Sequence, residues 1–181
     1  MKILVTYRSK TDFTMRYAEM IAKRLNADLA DFRLVYADWM SEYDVIVYGG
    51  GLYAGMINGY KKAKEMFADS TAKKFVLFAT GGTPNEDTAK IDEVWKLNLG
   101  DEQQTIPHFY MQAGLCYEKM SFFNRLIMKM MSGILSRNQN TDAPSGEVAN
   151  TLKHSYDISS PEYAQPLVKY LLEEAQKQSE E

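Results

Sequence analysis

Tyr7-Arg8-Ser9-Lys10-Thr11-Asp12-Phe13-Thr14 is a hydroxyl-rich stretch standing between a short apolar run and an amphipathic one. Upstream, Ile3-Leu4-Val5 is apolar and β-branched, the pattern of a strand buried on both faces of a parallel sheet. Downstream, Ala18, Ile21, Ala22 and Leu25 recur at helical spacing and predict a helix that starts at Phe13 or Thr14. A strand-to-helix turn of this kind aims unpaired backbone N–H groups and the positive end of the helix dipole at one point, where an anion is favoured. Ser9, Thr11 and Thr14 add hydroxyl donors, so the stretch reads as a pocket for a phosphate monoester. The same residues also permit a plainer reading, in which Thr11 or Asp12 only caps the helix.

Further along, Asp28 to Leu34 reads as a short strand, charged enough at Asp31 and Arg33 to suit a sheet edge. Val45-Ile46-Val47-Tyr48 is a clean buried strand that runs into Gly49-Gly50-Gly51-Leu52-Tyr53-Ala54-Gly55. Tyr60, Ala63 and Phe67 mark a helix, and Phe75 to Ala79 a strand that ends in Thr80-Gly81-Gly82-Thr83-Pro84. Ile91, Val94, Trp95 and Asn98 line the next helix, Phe109 to Gly114 is the last strand, and Ser160-Pro161 opens a closing helix through Ala164, Leu167, Val168, Leu171 and Ala175. Strands alternating with helices predict an α/β doubly wound parallel sheet, with ligands in the crevice outside the carboxyl ends of its strands. Three glycine- or hydroxyl-rich loops converge there, and glycine lets backbone approach a ligand closely.

The length of 181 residues fits a single domain over 1–181 that folds without disulfides or structural metal. The net charge of -3 arises from interspersed charges with no basic run, which argues against a nucleic-acid partner. A lone Cys116 and the distant His108 and His154 give neither a disulfide nor a zinc spacing. Met1-Lys2 leads straight into a strand and no apolar run reaches membrane-spanning length, so the expected compartment is the cytoplasm. An added amphipathic helix and loop occupy about 116–160. Phe123, Leu126, Ile127, Met130, Met131 and Ile134 form an apolar stripe there, interrupted by Met128, with Lys119, Arg125 and Lys129 elsewhere on the helix. Packing on the sheet is one use for the stripe; a docking face for a membrane surface, an apolar partner or a second copy of the chain in a homodimer is the other. Arg137 to Ser160 is a long polar excursion.

No G-x-x-x-x-G-K-S/T occurs, which excludes a P-loop. Gly49-x-Gly51-x-x-Ala54 imitates a dinucleotide fingerprint, but three consecutive glycines make that match cheap and it follows the wrong strand. The acidic pair of a receiver domain is missing after the first strand. Ser9-Lys10-Thr11-Asp12-Phe13-Thr14 resembles the flavodoxin phosphate loop, Ser/Thr-x-Thr-Gly-x-Thr, with Asp12 at the glycine position. The resemblance implies a five-stranded sheet of order 2-1-3-4-5 with helices on both faces, and non-covalent FMN as cofactor. It implies that Arg8, Ser9, Lys10, Thr11, Asp12, Phe13 and Thr14 surround the phosphate. Gly50, Gly51, Leu52, Tyr53, Ala54 and Gly55 would cover one face of the flavin ring, and Thr80, Gly81, Gly82 and Thr83 the other. Tyr53 suits either a stacking role or the solvent edge of the ring. Asp12 brings a carboxylate beside a dianionic phosphate, which Arg8 and Lys10 would offset.

Tyr43 to Gly49, Ala113-Gly114-Leu115 and the Leu126-Ile127-Met128-Lys129-Met130 core resemble the flavodoxin-like, quinone-dependent protoporphyrinogen oxidases, whereas the Thr80 to Asn85 loop does not. That resemblance implies an oxidoreductase using a quinone, a small apolar substrate or a redox partner protein, with peripheral membrane contact through Phe123 to Ile134. No catalytic side chain and no metal ligand is implied, because the flavin would carry the chemistry. A simple electron-carrier flavodoxin and a non-redox module that lost FMN through Asp12 are the rival readings.

Overall fold

The computed structural model describes residues 1–114, 116, 118 and 155–180. The expected Phe123 to Ile134 stripe and nearly all of the Arg137 to Ser160 excursion lie outside the described residues. In chain order the elements are β1 (Ile3–Arg8), α1 (Phe13–Leu25), β2 (Asp28–Asp31), α2 (Ala37–Met40), β3 (Val45–Tyr53) and β4 (Met56–Ile57), then α3 (Tyr60–Ala68), β5 (Lys74–Gly81), α4 (Thr88–Leu99), β6 (His108–Gln112) and α5 (Gln165–Glu180). Two compact units divide the chain, Met1–Ala113 with Ser159–Glu181, and Gly114–Ile158. The sheet and helices named here all belong to the first.

Five strands run parallel in the order β2-β1-β3-β5-β6, and β4 adds an antiparallel pair to β3. The topology is the doubly wound one expected from the sequence, with one more strand than expected. The central strands are apolar on both faces because helices cover both. Register aligns Leu4 with Ile46 and Ile46 with Phe75. Those three side chains join Met40, Tyr60, Ala63 and Trp95, contributed by α2, α3 and α4, in one buried cluster. On the other face of the pleat, Val5, Val47 and Val76 are fully buried, as are Tyr17, Ala18 and Ile21 of α1 and Leu167 and Leu171 of α5.

The glycine run in β3 has a packing cause. A Cβ on Gly49 would stand 2.0 Å from the Phe78 ring, and one on Gly50 2.5 Å from Ile57 Cγ2, so these positions admit no side chain. Beyond them the strand turns back through Ala54 (φ 48°) and Gly55 (φ 79°) into β4. Two consecutive left-handed residues make the primed turn that matches strand twist, and alanine at the first costs about 1 kcal/mol against glycine.

The predicted strand from Asp28 to Leu34 ends at Asp31, whose side chain accepts from the Arg33 N–H at 2.9 Å and starts a 3-10 turn over Phe32–Leu34. α1 begins at Phe13, as the spacing predicted. At the far end, Ser160 Oγ accepts from the Glu162 N–H at 3.3 Å and opens a 3-10 turn, Pro161–Ala164, that leads into α5. Tyr17, fully buried, donates its hydroxyl to the Gln112 carbonyl at 2.5 Å and accepts from the Ser160 N–H at 3.1 Å. No helix among the described residues is long and apolar enough to cross a membrane.

Lys74 at the start of β5 pairs with Glu174 of α5. The hydrogen bond from Lys74 holds the Glu174 carboxyl below the ordinary carboxylate range. A carboxyl depressed in the folded state contributes stability above its unfolded pKa and loses that contribution as pH falls through the folded value. Glu174→Gln is therefore expected to destabilise the protein at about pH 7, with the difference from the parent closing below about pH 4. Urea unfolding of both chains at the two pH values measures it.

Candidate functional site at the carboxyl ends of β1, β3 and β5

Parallel pairing levels the strand ends, with Arg8 opposite Gly50 and Gly51 opposite Thr80. The strand order reverses between β1 and β3, the switch point where a crevice opens in sheets of this kind. All three predicted loops meet there.

The hinge of the site is a pair of hydroxyls. Thr14 Oγ1, in the first turn of α1, lies 2.7 Å from Thr80 Oγ1 at the end of β5. Both residues are buried, at 2% and 4% exposure, so neither is a surface donor waiting for a ligand. Gly51 lies beside them: a Cβ there would stand 3.3 Å from Thr14 Oγ1 and 3.7 Å from Thr80 Oγ1. One hydrogen closes the Thr14–Thr80 bond and the other hydroxyl hydrogen remains to donate elsewhere.

The residues from Arg8 to Thr14 divide by surroundings. Ser9 Oγ is buried and has no hydrogen-bond partner. Asp12 precedes α1 at φ 67°, a left-handed backbone that aspartate tolerates better than most residues, and its side chain does not cap the helix. That conformation is the physical reason glycine suits this position in the motif. Leaving the N-terminus of α1 without a side-chain cap keeps its first N–H groups available to an anion. Phe13 is buried under the Arg16 guanidinium, 4.8 Å from the ring centroid, and is a core residue. Arg8 runs beside Gly59, where a Cβ would stand 2.9 Å from its Cδ, and its charge acts on Asp31 and Tyr48. Lys10 places its ammonium 4.2 Å from the Tyr53 ring centroid. Burial pushes the Tyr53 hydroxyl above its ordinary range, and a hydrogen bond with Thr11 offsets part of that rise. Tyr53 thus bridges from the end of β3 to the loop before α1, engaging Lys10 with its ring and Thr11 with its hydroxyl.

On the opposite side, a Cβ on Gly81 would stand 2.8 Å from Leu52 Cδ1 and 2.9 Å from the Tyr110 hydroxyl, so Leu52 and Tyr110 cover this glycine. Tyr110 donates to the Thr83 carbonyl at 3.0 Å. Asn85 and Gln112 exchange reciprocal bonds, Asn85 N–H to Gln112 Oε1 at 3.2 Å and Gln112 N–H to Asn85 Oδ1 at 3.1 Å. These contacts staple the Thr80–Asn85 loop to β6. Gly82 is exposed and Thr83 half-buried.

Asn85, Asn98, Tyr110 and Gln112 were not among the predicted site residues. Only Asn98 carried a signal, as an amide in the apolar stripe of α4 with Ile91, Val94 and Trp95. A cleft of about 750 Å³ opens separately between β4, the start of α3 and the end of α4, lined by Met56, Tyr60, Lys61, Lys62, Asn98 and Glu102 among others. Among the described residues no group of His, Cys, Asp and Glu is placed to hold a metal.

A flavin phosphate fits the donors present: an unpartnered buried hydroxyl at Ser9 and an uncapped helix N-terminus stand at one end, with small and apolar residues at the other. The flavodoxin-domain family model matches residues 4–142. A relative in Methanocaldococcus jannaschii, itself uncharacterised, is 36% identical over 88 residues, 46% of this chain and 57% of the relative. The chain therefore spans less than two thirds of that relative's length. Similar solved structures include a flavodoxin from the domain Archaea, 21% identical, covering 61% of this chain and 78% of that one, at TM-score 0.39. A flavoprotein of Lactobacillus acidophilus in complex with FMN is 15% identical, covering 61% of this chain and 91% of that one, at TM-score 0.39. With its parallel order β2-β1-β3-β5-β6 and the family match over residues 4–142, this chain belongs to the flavodoxin domain family.

Proposed function

We propose that the chain binds FMN without a covalent link and passes electrons, with a quinone, a small apolar substrate or a redox protein as partner. The observation that carries the reading is the buried Ser9 Oγ, which has no partner at the mouth of α1. A polar group left unpaired in the interior costs about 1–3 kcal/mol, and a phosphate oxygen would accept its hydrogen. When bound, FMN supplies the electron-transfer chemistry at its ring.

The chain's own residues then bind and orient. Ser9 and the first-turn N–H groups of α1 hold the phosphate, and Lys10 supplies a cation beside it while stacked on Tyr53. Leu52 and Tyr53 from β3 and Gly81 to Thr83 from the next loop bound the ring, and the buried Thr14–Thr80 hydroxyl pair ties α1 to the end of β5 beside Gly51. Asp12 works against this by repulsion, reduced because the residue is half exposed and its field is screened by solvent. It is also the observation that favours the second reading, a module of this fold that holds no flavin.

An absorbance spectrum of the purified protein and a titration with FMN decide between these. Flavin bands that survive gel filtration, or binding at micromolar FMN, support the redox reading; neither would leave the second. Ser9→Ala is expected to separate function from stability. The unloaded protein keeps its stability or gains up to about 1 kcal/mol, since an unpaired buried hydroxyl is removed. FMN affinity drops about tenfold with loss of one charge-assisted bond, while riboflavin affinity is unchanged. Asp12→Gly is expected to do the reverse, keeping the left-handed turn and tightening FMN about three- to tenfold at low salt, with the gain shrinking in about 1 M salt.

The finer specificity, a protoporphyrinogen-oxidase-like enzyme docked on a membrane or apolar partner, belongs to the same proposal. It is supported by the sequence pattern around Leu126 to Met130. Turnover of protoporphyrinogen by the FMN-loaded chain with a quinone acceptor is the expected outcome, measured by porphyrin fluorescence. No turnover, with electrons delivered instead to a redox protein, would assign a simple carrier.

A further inference from the structure

The tip of the β3–β4 hairpin is gripped from outside the sheet by one side chain. Asn98, near the end of α4, accepts from the Ile57 N–H at 2.8 Å and donates through Nδ2 to the Gly55 carbonyl at 2.8 Å and to the Val94 carbonyl of its own helix at 2.8 Å. The amide orientation follows from its partners. Rotated by half a turn, its oxygen would face two carbonyls and its NH2 group an N–H. The preceding residue, Leu97, reinforces the grip, its Cδ2 standing 3.0 Å from where a Cβ on Gly55 would be.

The turn needs such support. Ala54 and Gly55 are both left-handed, and Ala54 takes that backbone without the freedom of glycine, a conformation that persists where the surroundings over-determine it. Within the hairpin itself the pairing is short, Leu52 with Ile57 and Tyr53 with Met56. Asn98 therefore supplies, from a different element, bonds on both arms of the turn: a carbonyl at its bend and an N–H on its return strand.

We propose that Asn98 is a positioning residue for the ring-side half of the flavin site. By fixing Gly55 and Ile57 from behind, it sets where Leu52 and Tyr53 stand opposite Gly81. This inference rests on the flavin reading above. It makes no use of the Ser9 hydroxyl or the N-terminus of α1, and that difference makes it testable: Asn98 should act equally on flavins with and without a phosphate, unlike Ser9.

The experiment compares the full chain with Asn98→Ala and Asn98→Asp by three measurements: riboflavin and FMN titrations followed by flavin fluorescence, amide hydrogen exchange at Ile57, and thermal midpoint. In N98A, exchange at Ile57 is expected to quicken at least tenfold, and riboflavin and FMN dissociation constants to rise by one common factor of about five to ten. N98D keeps the acceptor for Ile57 and loses the donor to Gly55. Protected Ile57 with weakened affinity for both flavins in that variant assigns the effect to the Gly55 carbonyl, and N98D also carries the comparison where N98A does not fold. Unchanged riboflavin affinity in both variants, even with a lowered thermal midpoint, would overturn the inference and leave a merely structural amide. A loss confined to FMN would overturn it too, since the effect would then sit at the phosphate. A parent chain that binds neither flavin removes the flavin reading and this inference with it, a result distinct from either of the others.

Discussion

Strands that run parallel must be joined by crossovers, so every connection that leaves a carboxyl end emerges on the same edge of the sheet. The rest of this structure depends on that constraint. It brings residues as far apart in sequence as Thr14 and Thr80 within 2.7 Å and sets Gly51 between their loops. Because β1, β3 and β5 are buried on both faces, their register cannot slide without exposing apolar side chains, and the level of the loops is fixed along with it.

Much of this frame was legible in the residues. Continuous apolar runs such as Ile3-Leu4-Val5 and Val45 to Tyr48 suit a doubly covered strand, and helical spacing placed the start of α1 at Phe13 or Thr14, the first of which is observed. What escaped reading depends on partners remote in sequence. β4 is two residues long, and the glycine-rich stretch from Gly49 to Gly55 carries no local sign of the return pairing of Leu52 with Ile57 and Tyr53 with Met56. Asn85 with Gln112, and Asn98 with Gly55 and Ile57, are bonds across the fold that no local pattern encodes. The stretch from Asp28 to Leu34 predicts a longer strand than forms, because Asp31 diverts the backbone into a 3-10 turn with its own side chain.

The glycines and Asp12 show how one residue type answers different demands. Gly49 and Gly50 suit a ligand site by composition, yet the Phe78 ring and Ile57 are what leave no room for a side chain there. At Asp12 the demand is a left-handed backbone, which aspartate meets at the expense of a charge near the donors proposed to hold a phosphate. The conformational requirement of the motif is therefore kept while its electrostatics change, and the phosphate affinity proposed for the loop would be sensitive to salt and to the cation of Lys10.

One phenol oxygen ties together the chain on either side of the 113–159 segment. Tyr17 donates to Gln112 just before that segment and accepts from Ser160 just after it. The two ends are pinned to α1 whatever lies between them, so lengthening the intervening chain costs only the slow logarithmic increase of loop closure, about 0.6 kcal/mol per doubling. Such an attachment behaves as a graft point: new sequence inserted there leaves the folding unit that carries the three loops almost untouched. Variation among members of a family built on this frame is therefore expected to gather at this junction, where diversification is cheapest in free energy.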